Sequence, residues 1–217
     1  MGVRLLLADD HEIVRKGLRA LLETEPGWEV VAEAADGRDA IEKTKQMKPD
    51  VAILDISMPS LNGLEAARQI VTCAPQTKVL ILTVHEADPL IQQVLEAGAR
   101  GYLLKSDAAR DLVAAVDALR RNKTFFTPKV AQIVLEGYLG KNPKETDPEG
   151  GCFRLTGRQR EIVQLLAEGK SSKEVACALG LSVKTAETHR ANIMRRLDCH
   201  SVTALVRYAI RNHIIDA

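Results

Sequence analysis

Five short apolar runs alternate with five amphipathic segments of helical length over the first 121 residues, and this alternation most constrains the fold. Runs that are apolar almost without interruption are typical of strands buried on both faces of a parallel sheet. Since each run precedes a helical segment, we predict an α/β, doubly wound, five-stranded parallel sheet, whose ligands bind at the carboxyl ends of the strands. The predicted strands are residues 3–8, 29–34, 51–54, 79–83 and 101–104, and the predicted helices are 13–22, 39–47, 63–72, 88–97 and 108–121.

The pattern changes after residue 122. A Thr-Pro pair at 127–128 predicts the start of a helix over 128–139. The stretch GKNPKETDPEGG at 140–151 has no apolar residue, which is typical of a flexible linker. We therefore predict an α/β domain at 1–122, a linker region at 123–153 that is flexible over 140–153, and a small all-α domain at 154–217. The four helices predicted in this last domain are 157–167, 172–179, 183–197 and 202–212.

Composition excludes several classes of protein. The chain has 217 residues, 46% of them hydrophobic, and a net charge of +1, whereas disordered chains combine low hydrophobicity with high net charge. Its apolar runs are far shorter than the roughly 18 residues of a membrane span, and we find neither a secretory signal nor C-x-x-C spacing. We therefore expect a cytoplasmic chain with no membrane partner. The net charge is −4 over residues 1–153 and +5 over 154–217, which favours a polyanion as the partner of the last part.

Five polar side chains lie at the ends of the predicted strands, which meet at one edge of a parallel sheet. Clustered carboxylates are typical of a site for a hard divalent cation, and magnesium fits best. Asp55 is then a candidate nucleophile, with the metal and Lys105 balancing a phosphoryl charge that the Thr83 hydroxyl can also reach. Taken singly, Asp10 could instead cap a helix and Lys105 could be only a solvated side chain. The five residues are Asp9, Asp10, Asp55, Thr83 and Lys105.

Short motifs accompany these positions: Asp9-Asp10, DISMP at 55–59, Asn62-Gly63, Thr83, and GYLLK at 101–105. With them, residues 1–121 resemble the receiver domain of two-component response regulators, which is flavodoxin-like. The resemblance implies that Asp55 accepts a phosphoryl group from a cognate sensor histidine kinase.

The same resemblance implies further roles at the edge of the sheet. Thr83 and Tyr102 would be a switch pair, in which the hydroxyl moves toward the phosphoryl group and the ring rotates inward behind it. Magnesium (Mg2+) would be bound by three carboxylates and one backbone carbonyl, those of Asp10, Asp55, Asp9 and Ser57.

Two features depart from the receiver pattern. Ser106 follows Lys105 where many receivers have proline, often after a cis peptide bond. A cis bond before a non-proline residue costs roughly 2.5–4 kcal/mol, so the conformation of the Lys105–Ser106 peptide is open. His85 and Glu86 stand where small residues are common, and they could tune hydrolysis of the aspartyl phosphate.

The last domain contains a helix–turn–helix pattern. Gly180 is suited to end one helix, and Ser182 is suited to cap the next, over 183–197, which we call the recognition helix. Small, hydroxyl and basic residues form one outward stripe of that helix, as suits the major groove: Lys184, Thr188, Ala191 and Arg195. The inward positions at helical spacing are Val183, Ala186, Ile193 and Leu197, and the core positions of the last helix are Val202, Leu205, Val206, Ala209 and Ile210.

Residues 155–214 resemble the LuxR-type helix-turn-helix (HTH) domain of NarL/FixJ-family regulators, through LTGRQRE at 155–161, AEGKSSKEVA at 167–176, LSVKTAETHR at 181–190 and IMRRL at 193–197. Gly157 and Ala186 are mild departures from the family pattern. The resemblance implies that Glu187, Thr188 and Ala191 lie at base edges. It implies phosphate contacts for Lys170, Lys184, Thr185, Arg190 and Arg195, while His189 stays open between packing and phosphate contact.

Together the two resemblances imply a phosphorylation-regulated transcription factor, the output half of a two-component system. The phosphorylated receiver would form a homodimer that binds double-stranded promoter DNA. The alternative is a constitutive DNA-binding regulator whose receiver only dimerises or docks. A phosphatase with an aspartate nucleophile is disfavoured, because such enzymes carry a second acid two residues after the nucleophile, where this chain has Ser57. We therefore predict no enzyme activity beyond magnesium-dependent self-phosphorylation and dephosphorylation.

Overall fold

The computed structural model describes residues 2–84, 88–127, 130, 132 and 155–216, which belong to two compact units. Unit 1 comprises Met1–Lys141, and unit 2 comprises Asn142–Ala217. Within these described ranges, no helix is long and apolar enough to cross a membrane. The predicted flexible stretch 140–153 lies outside the described residues, as does most of the predicted helix 128–139. Val130 and Gln132, which are described, are both helical.

Unit 1 contains a five-stranded sheet with the strand order β2-β1-β3-β4-β5, in which all neighbouring strands are parallel. This order confirms the predicted doubly wound fold. It also places β1 and β3 side by side, so that the residues following their carboxyl ends are neighbours at one edge. The strands are β1 (Val3–Ala8), β2 (Trp28–Ala34), β3 (Val51–Asp55), β4 (Lys78–Thr83) and β5 (Gly101–Leu104).

Helices cover both faces of the sheet because successive strand side chains point to opposite faces. Leu5 and Leu7 pack toward one core, which includes α1 and α5, whereas Leu6 and Ala8 pack toward the other, which includes α2, α3 and α4. Within residues 2–84 and 88–127, the five predicted strands and five predicted helices end within two residues of the observed bounds. The helices are α1 (Glu12–Leu22), α2 (Gly37–Met47), α3 (Gly63–Cys73), α4 (Asp88–Glu96) and α5 (Ala108–Arg120).

Gly63 begins α3 beneath the carboxyl end of β3. Its N–H donates to the Ile56 carbonyl at 2.9 Å. A Cβ atom at this position would lie 1.9 Å from the Asp55 carbonyl oxygen and 2.8 Å from its carbonyl carbon. Only glycine therefore lets the start of α3 approach the backbone of Asp55 this closely.

We expect Gly63→Ala to lower the free energy of unfolding of unit 1 by about 1–3 kcal/mol or more, since the backbone must shift to relieve the clash. The fluorescence of Trp28, the chain's one tryptophan, reports the urea transition of this unit selectively. Gly17→Ala in α1 is the matched control, because a Cβ there meets nothing within 4 Å. An unchanged transition for Gly63→Ala would contradict the close approach.

The described residues of unit 2, 155–216, form four short helices around their own core. Hydrogen-bonding side chains define where they begin: Thr156 and Ser171 each form a reciprocal capping box, and Ser182 accepts from the Thr185 N–H. Gly180 ends the second helix with φ of 63°, as its position predicted. The helices are α6 (Gly157–Ala167), α7 (Ser172–Leu179), α8 (Val183–Arg196) and α9 (Val202–Arg211), so α8 is the recognition helix.

Two valines predicted to lie in the core of unit 2 are exposed. Ala186 and Ile193 of α8 are buried as expected, but Val183 is 39% exposed, and Val202 of α9 is 44% exposed. Both stand at the first position of their helix, where side chains at i+3 and i+4 shield one side only and no preceding turn covers the other. Leu197 is half-buried, and Leu205 and Ala209 form the buried face of α9.

Candidate functional site

The carboxyl ends of β1, β3 and β5 carry the charged residues that we call the acidic pocket: Asp9, Asp10, Asp55 and Lys105. Asp9 follows β1, and Asp55 is the last residue of β3. Both carboxylates are buried, at 2% and 3% exposure. Lys105 opens a 3-10 turn directly after β5, which directs its side chain back over the edge of the sheet.

Lys105 joins the two buried carboxylates. Its Nζ lies 2.6 Å from Asp9 Oδ2 and 2.9 Å from Asp55 Oδ2. The remaining oxygens are held by backbone groups, since Asp55 Oδ1 accepts from the Ile56 N–H and Asp9 Oδ1 accepts from the His11 N–H, both at 2.8 Å. The structure therefore brings together three side chains that are widely separated in the sequence, with one cation shared between two anions.

Burial and charge act in opposite directions on this pair. Burial raises the pKa of Asp55, and the repulsion of Asp9 adds to that rise, while the Lys105 ammonium and the Ile56 N–H oppose it without cancelling it. Burial lowers the pKa of Lys105, but its hydrogen bonds and ion pairs with Asp9 and Asp55 outweigh burial and leave that pKa raised. The pKa of Lys105 is thus raised by its two partners, and the ionised form of Asp55 is less favoured in the folded protein than in water.

In metal-free buffer, we expect Asp55→Asn to raise the free energy of unfolding of unit 1 at pH 7, because burial and the Asp9 carboxylate outweigh Lys105 and leave the ionised form of Asp55 less stable in the folded protein than in the unfolded chain. A carboxyl whose folded pKa is raised contributes stability below its unfolded pKa and loses it as pH rises through the folded pKa. The gap between wild type and variant should therefore narrow as pH falls from 7 toward about 4. Urea unfolding, followed by the fluorescence of Trp28, measures the free energy of unfolding of wild type and variant at each pH. A variant less stable than wild type at pH 7 would contradict the raised pKa of Asp55.

Asp10 does not cap α1, so the capping alternative is wrong. The cap position of α1 is His11, and no side chain accepts a capping hydrogen bond there. The Asp10 carboxylate is instead 33% exposed and lies 2.6 Å from Nδ1 of His11, which is also 3.3 Å from Asp9 Oδ1. His11 was not among the predicted site residues, although its place directly after the two aspartates was a usable signal.

The acidic pocket suits a hard divalent cation. Ligand-capable atoms of Asp9, Asp10 and His11 all lie within 4.8 Å of one another. Buried carboxylates with a partly exposed one beside them supply oxygen donors and a route from solvent, which is what magnesium requires. These residues fit a magnesium ion, with Asp10 the most accessible carboxylate.

The other predicted residues of the edge are placed as follows. Thr83 ends β4 and is fully buried, and Tyr102 in β5 is 1% exposed within the core beneath α3 and α4. Ser57 is half-buried in the loop after β3.

No cis peptide is found among the described residues, so the Lys105–Ser106 bond is trans. His85 and Glu86 lie outside the described residues.

The recognition helix presents an exposed polar face. The Thr188 hydroxyl donates to the Lys184 carbonyl at 2.8 Å, and Arg195 donates to the Asn192 side chain at 2.8 Å. Behind the helix, Arg158 of α6 donates to the Leu179 carbonyl at the end of α7, which supports the turn. Lys170, Lys184, Thr185, Glu187, Thr188, Ala191 and Arg195 are all exposed, whereas His189 and Arg190 are half-buried.

Two family models match this chain. A response regulator receiver domain matches residues 5–117, and the luxR family of bacterial regulatory proteins matches residues 154–209. The oxygen regulatory protein NreC of Staphylococcus carnosus is 38% identical over 216 residues, covering 99% of this chain and all of NreC. This chain is a response regulator of the NarL/FixJ family. The regulator is also 38% identical to the transcriptional regulatory protein LiaR of Bacillus subtilis, over 99% of the chain and all of LiaR.

Solved structures agree with this assignment. RcsB from Salmonella enterica serovar Typhimurium, bound to promoter rprA in the presence of phosphomimetic BeF3−, is 27% identical with a TM-score of 0.62, over 96% of this chain and 98% of RcsB. The response regulator ChrA is 36% identical with a TM-score of 0.52, over 99% of both chains. The regulator thus belongs to a two-component system and acts as a DNA-binding transcription regulator.

Proposed function

We propose that Asp55 is the phosphoacceptor of this regulator and that its phosphorylation switches DNA binding. The observation that carries the proposal is the ion triad, in which the Lys105 ammonium lies within 2.9 Å of Asp55 and 2.6 Å of Asp9. An ammonium held at that point can pair with a phosphoryl oxygen once Asp55 is esterified. The Thr83 hydroxyl at the end of β4 would take a second phosphoryl oxygen.

The donor is the phosphohistidine of a cognate sensor kinase. Transfer breaks its P–N bond, leaves the electron pair on the imidazole nitrogen, and forms a P–O bond to an Asp55 carboxylate oxygen. Magnesium, when bound by Asp9, Asp10, Asp55 and the Ser57 carbonyl, would neutralise charge on the phosphoryl group. The burial of Asp55 supports this role, since a buried carboxylate gains more from a nearby cation than an exposed one does.

The phosphorylated receiver shifts an existing equilibrium between two conformations, through Thr83 and Tyr102, and the favoured form dimerises. Two recognition helices then read adjacent half-sites. Glu187, Thr188 and Ala191 face base edges, and the phosphate contacts come from Lys170, Lys184, Thr185, Arg190 and Arg195. The exposure of the first three residues and the +5 charge of residues 154–217 support this arrangement.

In this proposal the receiver, residues 1–122, responds to phosphorylation, and residues 154–217 bind DNA. The regulator works in the cytoplasm and catalyses no reaction beyond the transfer and hydrolysis of its own phosphoryl group. The test is light scattering of the full chain, with and without a small phosphoryl donor and magnesium. We expect the mass to double only in the treated wild type and not in Asp55→Asn. A mass that is the same with and without treatment would contradict the proposed phosphorylation switch. It would favour the constitutive alternative, in which the receiver only dimerises or docks.

A further inference from the structure

Each of the four polar atoms of Asp9 contacts a different group. Its N–H donates to the Ala34 carbonyl at 3.2 Å, its carboxylate Oδ1 accepts from the His11 N–H, and its Oδ2 forms an ion pair with the Lys105 ammonium at 2.6 Å. The fourth contact comes from Arg15, whose Nη1 donates to the Asp9 carbonyl oxygen at 2.7 Å. Of these groups, Arg15 is the one side chain that reaches the backbone leading into Asp10.

Arg15 is itself held in place. It lies one turn into α1, its side chain is only 15% exposed, and its Nε lies 3.4 Å from Glu33 Oε2 in β2. Glu33 is fixed in turn, because its other carboxylate oxygen accepts from Arg19 at 2.9 Å and its carbonyl accepts from Lys43 at 2.6 Å. The planar guanidinium can contact two partners in fixed directions, which an ammonium cannot do.

We propose that Arg15 is a positioning residue for the metal carboxylates of the acidic pocket. The Asp9 carbonyl belongs to the planar peptide unit that continues into the nitrogen of Asp10. Fixing that carbonyl therefore fixes the plane from which the Asp10 side chain departs. Asp10 needs such support because its carboxylate is partly exposed, while that of Asp9 is buried. The inference rests on the proposed function, since it assumes that Asp10 binds the divalent ion.

Charge alone does not explain this arrangement. Arg19 lies on the same helix, carries the same charge and pairs with the same Glu33, yet its contacts are to Glu33 and Glu23 and not to the β1–α1 loop. Arg19 is thus a matched control for the loss of one positive charge from this network. Removing a residue that hydrogen-bonds to metal ligands typically weakens metal affinity by 10–100-fold.

The experiment measures binding of Mn2+, as a paramagnetic substitute for Mg2+, to the full chain by electron paramagnetic resonance of the free ion. We expect Arg15→Gln to weaken the Kd by about 10-fold or more, and Arg19→Gln to change it less than about two-fold. Urea unfolding in metal-free buffer, followed by Trp28, is measured on the same samples. Positioning predicts weaker binding at an unchanged unfolding midpoint, which a merely structural role would not give.

Equal Kd values for the two variants would overturn the role of Arg15 and leave the proposed function standing. If wild type itself does not bind Mn2+, the metal site fails and the inference fails with it. If Arg15→Gln does not fold, Arg15→Lys is measured in its place. That variant keeps the charge but lacks the planar fork that donates to the Asp9 carbonyl and Glu33 in fixed directions, so we expect a Kd about 3–10-fold weaker, and a wild-type Kd would overturn the inference.

Discussion

Asp55→Asn is expected to abolish phosphorylation of the regulator, lowering incorporation of phosphate from a small-molecule donor by more than about 1000-fold. The amide keeps the shape of the side chain but is not nucleophilic, and no other described carboxylate is both buried beside Lys105 and at the end of a central strand, except Asp9. The measurement is intact-protein mass spectrometry, which reads the mass of one added phosphoryl group.

Asp9→Asn is the informative companion to that variant. It removes the other partner of Lys105 but leaves the Asp55 carboxylate in place. We expect it to slow phosphorylation while leaving the modified site at Asp55. Phosphate found at normal levels in Asp55→Asn would contradict the assignment of the nucleophile, and phosphate mapped to Asp9 in wild type would contradict it as well.

Loss of two basic residues from the recognition helix is expected to weaken DNA binding strongly. Each phosphate contact adds about −0.9 to the slope of log affinity against log salt. For Lys184→Ala/Arg190→Ala, we expect that slope to become shallower by about 1.8 per bound protomer and affinity to fall on the order of 50-fold at 0.1 M salt. Fluorescence anisotropy of a labelled duplex over a salt series measures both quantities.

The control removes the same charge from elsewhere. Arg120→Ala/Arg121→Ala takes two arginines from the end of α5, where both pair with Asp117. If binding depended only on the total charge of the chain, the two double variants would behave alike. We expect the control to keep nearly the wild-type slope. A wild-type slope for Lys184→Ala/Arg190→Ala would contradict the phosphate contacts.

The fold was predictable because its signals are local. Uninterrupted apolar runs marked the five strands as parts of a parallel sheet buried on both faces, and Gly180 with Ser182 marked the turn before α8. The convergence of Asp9, Asp55 and Lys105 was also predictable, since strand ends in a parallel sheet share one edge. The sequence does not encode the distances between them, which depend on the β1–β3 register and on the turn after β5.

The features that were not predicted from the sequence depend on contacts between side chains of different helices and strands. Arg15 had no assigned role, because an arginine in a first helical turn is ordinarily a solvated charge; only the proximity of Glu33 on β2 directs it toward the Asp9 carbonyl. Val183 and Val202 were predicted to be buried because helical spacing ignores position along the helix, and the first residue lacks a covering turn. Both failures come from tertiary geometry that periodicity does not contain.

The most direct test of the central claim is selection of binding sites from random DNA duplexes by the full chain, with and without a phosphoryl donor and magnesium. Our account predicts that a motif with two-fold-related half-sites is enriched only by the phosphorylated protein, and that Asp55→Asn enriches none under either condition. Equal enrichment of the same motif in both arms would contradict it, because the receiver would then not control DNA binding.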